Sequence, residues 1–174
     1  KLSFDLRGLD ADLIDTMPLF CLSLMKMGAG DLSYLELAEK EAGCSGGLSA
    51  GLESNGRYDA PDRLSPFLNI SAKALDRKLE EMLDLLTLRL TAPDFDNVKR
   101  FEEVVMERRV QLKGGIVPSG SSYASMYAAR NLKGNFALGE RFNGVSKIRA
   151  FNAFADDFAN MRPQVVDKFL RIKD

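Results

Sequence analysis

Fifteen residues, Leu13 to Met27, decide most of what this chain can fold into. Ten of them are apolar, and Leu13, Met17, Phe20, Leu24 and Met27 step by four, three, four and three. That spacing draws one stripe along a helix. Leu19, Leu22 and Met25 add apolar surface away from the stripe. A helix that is apolar most of the way round must be covered on more than one side. The architecture therefore has to place this segment inside, between other elements. Pro18 either kinks the helix or marks the first turn of its main segment, and Gly28 and Gly30 close it.

The flanking segments supply the covering layers. Leu2, Phe4 and Leu6 alternate with polar residues, which predicts a strand, and Asp10 after it suits a helix N-cap. Ser33 and Glu36 form a capping box that opens a short helix to about Ala42, broken by Gly43-Cys44-Ser45-Gly46-Gly47. Leu48 to Glu53 and Phe67 to Ala72 read as strands. They are joined by a polar loop, Ser54 to Pro66, that contains Asn55-Gly56 and two prolines. Leu75 to Thr91 predicts a helix with Leu75, Leu79, Met82, Leu86 and Leu90 inward and an Arg77–Glu81 pair on the wet side. Pro93-Asp94 stops it. Asp96 to Lys113 predicts a second long helix with Val98, Phe101, Val105 and Leu112 inward, surface pairs Asp96–Arg100 and Lys99–Glu103, and Gly114-Gly115 as its end. Four shorter helical patterns follow: Ser122–Asn131, Phe136–Phe142, Val145–Phe158 and Pro163–Ile172.

This order predicts an α+β fold: a small, mostly antiparallel sheet with helices packed on one face, and a helix-rich C-terminal part. The expected organisation is one domain over 1–174, with a strand-helix-strand-strand-helix core at 1–115 and a helical extension at 116–174. The sheet reads as one strand short. Lys1 at the start and a helical pattern running into Asp174 read as a piece of a longer chain, so apolar surface and self-association are expected where missing neighbours would pack.

Composition narrows the chemistry. Lys plus Arg is 24 and Asp plus Glu is 25, a net charge of −1. Such a chain has no general attraction for nucleic acid or anionic lipid. No run approaches the roughly 18 apolar residues of a membrane span, and no signal peptide is recognisable. Neither nucleic acid nor membrane is expected as a partner. Cys21 and Cys44 read as reduced thiols. The histidine count is zero, which excludes a Ser-His-Asp triad, a Cys-His pair, an HExxH zinc site and any His general base within this chain.

The remaining candidates are weak on residue chemistry alone. Gly43-x-x-Gly46-Gly47 lacks the strand–loop–helix context of a phosphate cradle, and a helix stop is the better reading. Gly114 to Ser122 precedes a helix, where its amides could meet an anion, but ordinary capping asks for the same residues. A serine nucleophile there would have only Lys113 as a base, and nothing places it. Glu102, Glu103 and Glu107 among Arg100, Arg108 and Arg109 read as a solvated helix face. Tyr123 and Tyr127 read as core packing. Arg141, Lys147 and Arg149 are too sparse for a basic stripe.

Taken together, the segments resemble a known family. The runs Leu19-Phe20-Cys21-Leu22-Ser23-Leu24-Met25-Lys26-Met27-Gly28, Ser33-Tyr34-x-Glu36-Leu37 and Gly46-Gly47-Leu48-Ser49-Ala50 resemble the core of the insulinase/pitrilysin zinc metallopeptidases. Pro18-Leu19-Phe20-Cys21, Ser71-x-Lys73-Ala74-Leu75-Asp76, Pro93-Asp94-Phe95 and Pro118-Ser119-Gly120-x-Ser122-Tyr123-Ala124 look like the branch that holds the presequence proteases and falcilysin. The likeness covers nearly the whole chain. In that family an inverted motif, His-x-x-Glu-His, binds zinc on the first helix and activates water. A Glu on a later helix completes the site.

In the alignment implied by the resemblance, Leu19 and Ser23 stand at the two His positions and Leu22 at the Glu position. Leucine neither coordinates zinc nor takes a proton. Glu107 lies in the helix comparable to that of the third ligand, and Ser121 stands where relatives often have His. The resemblance thus implies a non-catalytic third domain of a zinc metalloendopeptidase for short unstructured peptides, with zinc only in the parent's catalytic domain. No catalytic, metal or substrate-binding residue is assigned here. The implied role is a stretch of chamber wall, with sibling domains of the same chain and the parent's peptide as partners. The implied location is the cytoplasm for a bacterial parent, and the mitochondrial matrix, a plastid or another organelle for a eukaryotic one. The alternative is a stand-alone degenerate binding or assembly module of the same family.

Overall fold

The computed structural model describes residues 1–56, 59–60 and 63–173. Its elements are β1 (Leu2–Asp5), α1 (Ala11–Lys26), β2 (Gly28–Ala29), α2 (Tyr34–Cys44), β3 (Leu48–Gly56), β4 (Leu64–Ala72), α3 (Leu79–Thr91), β5 (Pro93–Asp94), α4 (Val98–Ile116), α5 (Gly120–Ala129), α6 (Gly134–Asn143), α7 (Val145–Asp156) and α8 (Phe158–Lys173). The fold is α+β, with β4 at the centre of an antiparallel β1-β4-β3 sheet.

The pleat explains which face is covered. Leu2 and Ala50 stand in register with Ile70, and Phe4 and Leu52 with Leu68. Paired residues of antiparallel strands share a face, so these six form the apolar side. α1 and α6 lie against β3 on that side. Ser3, Gly51 and Asn69 mark the other face, where Ser3 Oγ donates to Asn69 Oδ1 at 2.6 Å. Leu68 and Ile70 on the central strand are buried, whereas Leu2 and Phe4 on β1 each remain 43% exposed.

α1 behaves as its sequence demands. All five residues of its stripe are buried, and so are Leu19 and Cys21 off the stripe. The sheet, α4 and α8 surround it. The helix continues through Pro18, whose missing N–H removes one bond to the carbonyl a turn earlier. Six phenylalanines, Phe20, Phe95, Phe101, Phe154, Phe158 and Phe169, pack with ring centroids 4.9–5.9 Å apart. They join α1, α4, α7 and α8 into one core. The capping box of Ser33 and Glu36 is present.

Several expectations change. Asn55-Gly56 is no turn: β3 and β4 run further, pairing Asn55 with Ser65 and Gly56 with Leu64. The connection therefore shrinks. Residues 57, 58, 61 and 62 of the expected loop lie outside those described. Leu75 and Leu79 are exposed, because residues 76–78 form a 3-10 turn and α3 starts only at Leu79. Its buried face is Met82, Leu85, Leu86 and Arg89. Lys78, not Arg77, pairs with Glu81, at 2.7 Å.

Pro93-Asp94 pairs with Gly28-Ala29 as a short ribbon rather than merely ending a helix. Val98, at the first position of α4, is 49% exposed. Arg100 pairs with Glu103, and Asp96 faces Arg162 instead. α4 runs through Gly114-Gly115 to Ile116. Nothing lies within 4 Å of where either glycine's Cβ would be, so the helix carries about 1 kcal/mol per glycine relative to alanine and persists. Tyr123 packs against the core, but Tyr127 is exposed with the Arg130 guanidinium 3.6 Å over its ring.

Candidate functional site

Leu19 and Ser23 sit one turn apart on α1, with Leu22 beside them. Ser23 is fully buried and its Oγ has no hydrogen-bond partner, a cost tolerated inside a helix whose backbone groups are satisfied. Leu19 is buried and lines a cavity with Phe151 and Phe154 of α7. The helical third of the chain therefore closes over the positions where the resemblance would put metal ligands. Glu107 is exposed on α4 and accepts from Gln111 Nε2 at 2.9 Å. Glu102 and Glu103 are exposed beside it, as a solvated face should be. Ser121 is exposed in the first turn of α5. Among the described residues no group of three or more His, Cys, Asp or Glu is arranged around a common metal position.

Both thiols are free and buried. Burial pushes the Cys21 thiol up to about 12, against a smaller pull from Lys147. A thiol so placed is inert rather than nucleophilic. Lys147 on α7 has its ammonium shifted below the ordinary value, first by burial and then by the like charge of Arg108 on α4. The Gly43–Gly47 turn uses its own amides internally. Gly46 N–H donates to Lys73 O, Gly47 N–H to Ser45 Oγ, and Leu48 N–H to Glu41 Oε1. Gly47 needs glycine, with φ +117°.

Sequence reasoning missed the most constrained polar residue, Arg89. It is 3% exposed on α3. Its Nη1 donates to Leu24 O at 3.3 Å and Met25 O at 3.1 Å, and its Nη2 to Glu41 Oε2 at 2.8 Å. Arg100 Nε adds a bond to Lys26 O at 3.2 Å while its guanidinium stacks over Tyr34. Two arginines thus satisfy the last carbonyls of α1, which a helix leaves unpaired. Glu41 also holds the start of β3. The cluster locks the end of the helix that carries Leu19, Leu22 and Ser23 to α2, α3 and the sheet. A cue existed: Arg89 continues the Met82-Leu85-Leu86 stripe at helical spacing, where a charge is unusual.

No helix among the described residues is long and apolar enough to cross a membrane. Comparison with known proteins gives this geometry its family. A family model for the domain associated with peptidases of metallopeptidase family 16, subfamily C, matches residues 1–154. The chain is 31% identical over 152 residues to the mitochondrial presequence protease of Danio rerio, covering 87% of this chain and 15% of that protein. It is 30% identical over 171 residues to the mitochondrial presequence protease of Mus musculus, covering 97% and 16%. It is 27% identical over 142 residues to Protein HypA of Clostridium perfringens, covering 82% and 15%. The chain spans about one sixth of the length of these relatives. By the match over residues 1–154, this chain belongs to the peptidase-associated family of metallopeptidase family 16, subfamily C.

Proposed function

We propose that residues 1–174 are a non-catalytic third-domain segment of a presequence-protease-like zinc metalloendopeptidase. They form one unit that makes part of the wall enclosing its peptide. One observation carries the reading: at the three positions where the resemblance expects two imidazoles and a carboxylate, this chain has Leu19, Ser23 and Leu22, two hydrocarbon side chains and one hydroxyl. Zinc, the water it activates and the peptide bond belong to a catalytic domain elsewhere in the parent, in the organelle or cytoplasm where that parent works. This segment contributes a rigid surface. Its β1 edge, with Leu2 and Phe4 half-exposed on the apolar side, is what sibling parts of the same polypeptide would cover. Glu107 and Ser121 are surface residues without a catalytic part.

The test uses the parent, made inactive at its own zinc site, and a peptide substrate carrying a photo-crosslinking residue. Crosslinks within residues 1–174 are expected. Efficient crosslinking elsewhere with none in this segment contradicts the wall. If the parent polypeptide contains no His-x-x-Glu-His, the stand-alone module replaces this reading.

A further inference from the structure

One cavity, of about 350 Å³, is built with a charge imbalance that the fold does not use. It lies between α1, β3, α4 and the α6–α7 corner. Lys26, Arg108 and Lys147 line it, and no Asp or Glu does. Lys147 has neither a hydrogen bond nor an ion pair among the described residues, although it is partly buried. Asp12 and Asp15, which line a neighbouring cavity with Lys147, are taken: Asp15 pairs with Arg141, and Asp12 with Lys168 and Arg171. Arg108 makes only a neutral bond, Nη1 to Gln111 Oε1 at 3.1 Å. An unpaired cation drawn out of water is costly unless an anion meets it. Here Lys147 and Arg108 line one cavity instead, and Lys147 is lowered first by burial and then by the like charge of Arg108. Most of the rest of the wall is apolar, with Leu22, Phe142 and Phe151 beside the polar Ser49 and Asn143, and low local polarity strengthens charge pairing.

We propose that this cavity is a carboxylate site, in which Lys147 and Arg108 receive the acidic side chain or the C-terminal carboxylate of a peptide. Charge complementarity selects the ligand: Lys147 and Arg108, with the exposed Lys26 at the edge, mostly apolar walls and no acid in the lining suit one compact anion on an otherwise uncharged segment. A chamber is not required, because this chain alone forms the cavity.

The probes are short dye-labelled peptides: one with a central Glu, its Gln twin, and each with a free or an amidated C-terminus. Fluorescence anisotropy at low salt reads their binding to the 174-residue protein. A preference of about tenfold for a carboxylate-bearing peptide is expected, the size of one charge-assisted hydrogen bond. Whether that preference follows Glu or the free terminus tells which carboxylate enters. Lys147→Met removes the preference, and Lys147→Arg restores most of it. Lys113→Met, the same charge change on an exposed position of α4, leaves it intact. A thermal melt of Lys147→Met, expected to be unchanged or raised, separates lost binding from lost folding. Equal binding of all four peptides, or equal losses in Lys147→Met and Lys113→Met, overturns the site.

Discussion

Arg89→Met is the perturbation that most severely tests how this fold is held. Arg89 is 3% exposed and its partner Glu41 is 24% exposed, 2.8 Å away. Removing the guanidinium leaves Leu24 O and Met25 O without their donor and a half-buried carboxylate without its cation. Breaking a buried pair from one side costs about 3–5 kcal/mol when both partners are enclosed. Glu41 retains some water and its bond from Leu48 N–H, so the lower end, about 3 kcal/mol, is expected. Glu41→Gln keeps the acceptor and should cost about 1 kcal/mol. The assay is urea unfolding followed by circular dichroism, with the double variant completing a cycle. The two substitutions should couple by at least about 1 kcal/mol. A loss under about 1 kcal/mol for Arg89→Met, with no coupling, would refute the idea that this cluster ties α1 to α2 and α3.

Other outcomes follow from single contacts. Phe169→Ala should cost about 3–5 kcal/mol in the same assay, because a fully buried ring joining α8 to Phe20, Phe95 and Phe101 is lost. Gly144→Ala should destabilise by about 1–3 kcal/mol although its φ is ordinary, since the new Cβ would stand 2.7 Å from Glu140 O and 2.8 Å from the Glu140 side chain. Cys21 is protonated in the fold to about 12, against an ordinary 9.0. The stability gained from the neutral thiol is therefore whole below pH 9 and is lost as pH rises toward 12. Cys21→Ala should flatten that alkaline decline, measured by urea midpoints at stepped pH. Glu36 lies below its ordinary 4.5 because Ser33 donates to it from its hydroxyl and backbone. Its contribution is lost as pH falls through that lowered value, and Glu36→Gln should blunt the acid decline.

The sequence makes α1 legible because burial on several sides leaves an unmistakable pattern, and every stripe residue is buried. Ser33 and Glu36 are equally readable, since a capping box is purely local. The α+β class follows from element order. What the sequence misleads about is set by partners distant along the chain. Asn55-Gly56 carries a turn signal, yet the pairing to Ser65 and Leu64 overrides it. Arg89 gains its role only where the ends of α1 and α2 meet it on α3. Leu75 and Leu79 read as inward because periodicity cannot show that a 3-10 turn resets the phase. At the candidate site, Leu19, Leu22 and Ser23 are positions to which only the family resemblance points. The cationic cavity is not, because Arg108 and Lys147 lie on separate helices that only the fold brings together.

On the proposed reading, no peptide hydrolysis is expected from this chain, because Leu19, Leu22 and Ser23 stand where the resemblance puts the zinc motif. Hydrolysis is measured directly by giving the purified 174-residue protein excess zinc and a quenched fluorescent unstructured peptide, alongside metal analysis after dialysis. No turnover above the buffer rate and no stoichiometric zinc are expected. Chelator-sensitive hydrolysis with one zinc retained per chain would contradict a non-catalytic segment.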